Sequence, residues 1–262
     1  MLLNDGSTQS PFEIWDGGLV AEYSGSAPTR KLASAGVYTK NAFVTLRENP
    51  ADPLTADYLE VIDVIGEFTT TGGVGEINLV GGTSFNVNLS AELTLESDSL
   101  PVVNVNFFDN GAGEPFFRIG GPDRTLDTTV LCNGTDFARA SAGLLVPETS
   151  YFSATTQNAL ENSTDVTQYV DLDANLTVDS SINVRALRVT DPAVNTFNVN
   201  STVFLNANGT GGGGSDIGTG VLLLTPAAGD LNISGDGAFD VGGNGEMTWI
   251  NNGTGTVSVT DV

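Results

Sequence analysis

The chain has no histidine and a single cysteine, Cys132. The first absence removes the commonest general base and the commonest zinc ligand. The second excludes an internal disulfide and any cysteine-based metal site. Cys132, within CNGT, reads as a small apolar strand residue. Lysine is limited to Lys31 and Lys40. No apolar run approaches the ~20 residues of a membrane-spanning helix. MLLNDGST lacks the basic-then-apolar order of a signal peptide, so an export signal is expected elsewhere. Neither GxSxG nor Walker A spacing occurs, which leaves a nucleophile-elbow hydrolase and a P-loop NTPase without support.

Acid dominates what remains. Nine basic residues face thirty-two acidic ones, for a formal charge of −23. Nucleic acid is excluded as a partner, because binding it requires phosphates to be neutralised by Lys and Arg. Insertion into or attraction to an anionic membrane is disfavoured likewise. From Val189 onward there is no Lys or Arg, while seven acidic residues remain. That stretch repels itself at low salt, and no cofactor is expected beyond a Ca²⁺ ion that would relieve the repulsion. The candidate ligands are Asp171 and Asp173, which the DLD spacing places on one strand face, and Asp216 in GGGGSDIGT (211–219). The latter partly matches a calcium-binding nonapeptide. It occurs once, however, with Gly218 where an aliphatic residue belongs, so it reads as a surface loop.

Ten pairs of apolar residues two apart run from residue 176 to 259: Leu176/Val178, Ile182/Val184, Leu187/Val189, Phe197/Val199, Val203/Leu205, Val221/Leu223, Leu231/Ile233, Phe239/Val241, Met247/Trp249 and Val257/Val259. Alternation at period two is the signature of a strand with one buried face. Most pairs start within roughly 5–10 residues of the last, too close for intervening helices. The expected fold is all-β, a β-solenoid with irregular loop excursions. GLVAEYSG (18–25), NAFVTLRENP (41–50), GEINLVGG (75–82) and PVVNVNFFDNG (101–111) extend the strand pattern into the first half. The chain then divides into a first solenoid half (1–149), a loop excursion (150–173) in which TQNALEN forms a helical turn, and a second half (174–262). A further irregular stretch spans 206–220. The chain stops on VSVTDV in mid-pattern, without the polar cap of a solenoid end.

ANLTVDSSINVRALRVTD (174–191), TFNVNSTVFLNANG and TGVLLLTPAAGDLNISGDG resemble the rungs of autotransporter-associated β-strand repeat proteins, which are bacterial surface or secreted passengers. GTDFARASAGLLVPETSY (134–151), GLVAEYSGSAPTRKLASAG and FVTLRENP are similar to stretches upstream of such rungs. The resemblance implies a right-handed parallel β-helix, an extracellular or cell-surface location, and a structural or adhesive role. It supplies no catalytic residues.

Polysaccharide-cleaving enzymes on such folds use clustered carboxylates with an Arg or Lys. Arg185 and Arg188 lie near Asp179 in sequence, but no recurring Asp motif accompanies them. The expectation is therefore a non-enzymatic protein that self-associates into a filament or surface layer. Val257 and Val259 stand at the open end of the stack, where unpaired N–H and C=O groups template another rung. The alternative partner is a surface glycan, bound by the 150–173 and 206–220 excursions.

Overall fold

The computed structural model describes the strands between residues 12 and 118, then residues 123–126, 128, 130–162, 167–205, 219–241, 246–260 and 262. The chain forms two compact units. The first holds 1–126, 130–133 and 138–147; the second holds 127–129, 134–137 and 148–262. Both are β structures built mainly of parallel sheets.

In the first unit, β1 (Phe12–Trp15) and β2 (Gly18–Tyr23) precede β3 (Gly36–Lys40), β4 (Ala42–Glu48) and β5 (Leu59–Ile62). β6 (Glu67–Thr70), β7 (Val74–Gly81) and β8 (Asn86–Leu89) follow, then β9 (Val102–Asp109) and β10 (Phe116–Arg118). Strands β1-β3-β6, β2-β4-β7-β9 and β5-β8-β10 form three parallel runs. The pattern then breaks. After β11 (Arg124–Thr125) and β12 (Val130–Cys132), β13 (Asp136–Ser141) and β14 (Leu144–Pro147) pair antiparallel, Ser141 opposite Leu144. The loop between them is Ala142 and Gly143, at φ 51° and 76°. Two left-handed residues suit a tight hairpin, because their turn matches the twist of the strands. The solenoid half expected over 1–149 thus contains an antiparallel hairpin. Its alternation does not distinguish antiparallel from parallel pairing.

The second unit begins with β15 (Tyr151–Ala154), α1 (Gln157–Glu161) and β16 (Tyr169–Leu172). The loop excursion expected at 150–173 is corrected as well: its two ends are strands of a five-stranded parallel sheet. The expected helical turn is there, with Thr156 as its N-cap accepting from the Ala159 N–H. Next come β17 (Leu176–Val178), β18 (Ile182–Val184) and β19 (Ala186–Val189), then β20 (Thr196–Val199), β21 (Thr202–Leu205) and β22 (Thr219–Leu224). The last are β23 (Leu231–Ser234), β24 (Ala238–Asp240), β25 (Glu246–Asn251) and β26 (Val257–Thr260). Successive strands enter sheets β17-β20-β23-β26, β18-β21-β24 and β15-β16-β19-β22-β25 in turn.

Parallel register stacks the predicted apolar pairs into columns. Leu176 lies opposite Phe197, Phe197 opposite Ile233, and Ile233 opposite Val259. Leu187, Leu222 and Trp249 form another column. Leu176, Phe197, Ile233, Leu187 and Leu222 are all buried in one core cluster. Full burial of each such side chain contributes ~1.5–3 kcal/mol. One pair falls on the wrong parity. In β22 it is Leu222 and Leu224 that join the core, while Val221 and Leu223 are buried on the opposite face. A run of apolar residues carries no alternation to read.

Side chains at the turns tie each coil to the next. Asn175 Oδ1 accepts from the backbone of Asn195 and Thr196 at 2.8 and 2.9 Å, and Asp230 Oδ1 accepts from Thr256 at 2.7 Å. Glycine is required where coils touch most closely. A Cβ on Gly255 would lie 2.3 Å from the Gly229 carbonyl oxygen.

Candidate assembly edge and its arginine brace

β26 is the last strand of its sheet, paired with β23 on one side. Val257 packs partly against the core, whereas Val259 remains 47% exposed although it extends an apolar column. β25 and β24 are likewise the terminal strands of their sheets. Among the described residues, no further strand pairs with the outer edges of these three. The expected assembly residues therefore sit on an open edge.

The other end of this stack is closed differently. Sheet β17-β20-β23-β26 starts at β17, and α1 packs against β17 and β15. Leu160 of α1 is fully buried in the core. Glu161 Oε1 accepts from the backbone N–H groups of Asp179 and Ser180 at 2.7 and 3.0 Å, and from Gln157 Nε2 at 3.0 Å. The Asp179 carboxylate accepts from Asn200 Nδ2 and Gln157 Nε2, each at 2.8 Å. Hydrogen bonds to the ionised form hold both carboxyls below their usual range. For Glu161 the Asp179 N–H contributes most, and for Asp179 the Asn200 amide does.

An aromatic and arginine cluster lies on strands β15, β16 and β19 of the five-stranded sheet. Arg188 on β19 donates from Nε and Nη2 to the two oxygens of Asp171 on β16, at 2.5 and 2.7 Å. Its Nη1 pairs with Asp136 and donates to the Thr135 carbonyl at 3.1 Å. The guanidinium lies 3.4 Å from the centroid of the Tyr151 ring, a cation–π contact. Burial disfavours the charged guanidinium, but the Asp171 hydrogen bond and nearby anionic groups outweigh it and raise its pKa. Burial also pushes the Tyr151 phenol far above its ordinary range, although Arg188 pulls the other way. Phe137 stacks on Tyr169 at 4.9 Å, and Arg185 Nε donates to the Tyr169 hydroxyl at 2.8 Å. The cluster binds the 134–137 segment to the five-stranded sheet, and the Asn252 amide adds a bond to the Gly134 carbonyl.

Asp171 is thus a partner of Arg188, with both oxygens engaged. Asp173 accepts a short hydrogen bond from the Ser153 hydroxyl. Asp216 lies outside the described residues. Among the described residues no three acidic or cysteine side chains converge. Arg188 engages Asp136 and Asp171, while the Asp179 carboxylate takes the Asn200 and Gln157 amides. Sequence reasoning missed Asp136 and Tyr151. The signal for the Asp171–Arg188 pair is their opposition in parallel strands, which becomes visible once the coil spacing is known.

No protein-family model, curated protein or solved structure matches the chain.

Proposed function

We propose that the chain is an extracellular structural protein, a right-handed β-solenoid that self-associates end to end into a filament or surface layer. The carrying observation is the open edge of β26, where Val259 is 47% exposed at the end of an otherwise buried column. The rotation of successive strands through three parallel sheets supports the solenoid form. Right-handedness follows from the twist preference of parallel crossovers in L-chains. A strand edge offers a row of donors and acceptors that another parallel strand satisfies, and a head-to-tail contact does not close on itself. The −23 charge keeps copies apart at low salt and gives a controllable onset, because screening shortens the reach of repulsion.

Light scattering and electron microscopy across a salt series test this reading. Rods that lengthen with salt and protein concentration support it. A chain that stays monomeric throughout, at concentrations up to millimolar, refutes it.

A further inference from the structure

We propose that the outward face of sheet β17-β20-β23-β26 binds the ordered surface of a neutral, β-linked polysaccharide. This face is separate from the end-to-end contact. The three sheets of the second unit differ in what their strands carry. The five-stranded sheet holds Asp171, Arg188 and Glu246, and sheet β18-β21-β24 holds Asp240. Strands β17, β20, β23 and β26 carry no charged residue. Their inward positions are aliphatic or aromatic, and their outward positions are only Asn, Ser and Thr.

Parallel register sets the outward residues in two columns. Thr177 lies opposite Asn198, Asn198 opposite Ser234, and Ser234 opposite Thr260. Beside them Thr196 lies opposite Asn232, and Asn232 opposite Ser258. Neighbours within a column are ~4.8 Å apart, and the columns are about 7 Å apart. Part of the face is already ordered. Asn198 Nδ2 donates to Thr177 Oγ1 at 3.4 Å, and Ser234 Oγ donates to Asn198 Oδ1 at 2.7 Å. These bonds fix the Asn198 amide, so little ordering remains to be done on binding. Asn232, Ser258 and Thr260 are exposed, and their side chains have no hydrogen-bond partner among the described residues. Of the carboxylates in the flanking turns, Asp179 accepts from Asn200 and Gln157, and Asp230 accepts from the Thr256 N–H.

Charge decides the occupant. An anionic polymer, or a second copy of a −23 chain, approaches against repulsion at low salt. A cationic polymer finds no carboxylate on these strands. A neutral sugar polymer meets neither obstacle. Its hydroxyls both donate and accept, as do the hydroxyls and amides of the two columns. A β-linked sugar advances along its chain by close to one strand spacing, so successive rings meet successive strands. The outward positions hold no aromatic ring for a single sugar to stack on, so each contact is weak and affinity comes from repetition. That favours an ordered, insoluble surface over a soluble oligosaccharide.

The test is depletion of the full chain from solution by microcrystalline cellulose and by chitin, at low salt, where repulsion keeps copies apart. Binding to either is expected. Binding to neither overturns the proposal, as does equal binding to an insoluble carboxymethylated cellulose. Asn232→Glu/Ser258→Glu puts two charges on the face and should lower the bound fraction by more than about tenfold, since each is desolvated without a partner. Ala238→Glu, an exposed charge on β24, should leave binding unchanged. Equal losses in the two variants, or no loss in the first, count against the site. Should the paired charges disturb folding, as a melting curve would show, Asn232→Ala is read instead. It should weaken binding by about three- to tenfold, and an unchanged bound fraction refutes the assignment. Depletion without filaments in salt leaves this site standing and removes the end-to-end reading; filaments without depletion do the reverse.

Discussion

At one end of the second unit's stack Leu160 is wholly buried beneath the first coil's neighbours; at the other, Val259 keeps 47% of its surface exposed. Leu160 belongs to the core cluster, and Val259 lies opposite Ile233 of that cluster. The closed end adds a helical turn whose glutamate takes two backbone N–H groups of the following coil. The open end has β26 and no equivalent clasp among the described residues. The two ends of one repeating core thus differ in how the backbone donors at each edge are satisfied.

The largest effect is expected at the arginine brace, on the side of the stack where α1 packs. Arg188→Ala should lower stability by about 3–5 kcal/mol, because it removes a buried guanidinium and leaves two part-buried carboxylates, Asp136 and Asp171, without their cation. Urea unfolding followed by circular dichroism measures it. A loss under 1 kcal/mol would mean the Asp136–Arg188–Asp171 group is ornament. At the closed end, Leu160→Ala should cost about 2–5 kcal/mol through the cavity it leaves. Val259→Ala, its counterpart at the open end, should stay within about 0.5 kcal/mol. Equal losses would erase the distinction between the ends.

Acid offers a gentler probe of the closed end. The folded-state pKa values of Glu161 and Asp179 are depressed, so their contribution is present above the ordinary carboxylate range. It is lost as pH falls through the lower folded values, because the unfolded chain then binds protons more readily. Glu161→Gln should flatten the fall of the melting temperature in that acidic window and leave neutral pH less affected. A parallel fall in both proteins would place the acid sensitivity elsewhere. The smallest effect on stability, with a clear effect on association, is expected of Val259→Lys. The monomer should melt unchanged while light scattering in salt drops, since a charged residue at an edge blunts strand addition.

Much of the second unit was readable in advance because one-sided burial enforces alternation. Leu176/Val178, Phe197/Val199 and Leu231/Ile233 are inward pairs of three stacked strands. Reading failed where that condition lapses. β22 is apolar on both faces, so Val221/Leu223 and Leu222/Leu224 were indistinguishable by period. The hairpin of β13 and β14 turns on Ala142–Gly143 rather than on Asn-Gly, the strongest turn signal. Asp171 was legible as a carboxylate on a strand but not as the partner of Arg188, because that pairing depends on coil-to-coil register.

The parity of β22 has a kinetic meaning. Val221, Leu222, Leu223 and Leu224 are all essentially inaccessible, so this strand has no solvent side from which to open. Fraying of β26 or detachment of α1 leaves its amides protected on both faces. Their hydrogen exchange should therefore be the slowest in the second unit, proceeding only when the whole stack comes apart. β22 acts as the timekeeper of the unit: its exchange rate reads out the lifetime of the assembled coils, whatever happens at either end.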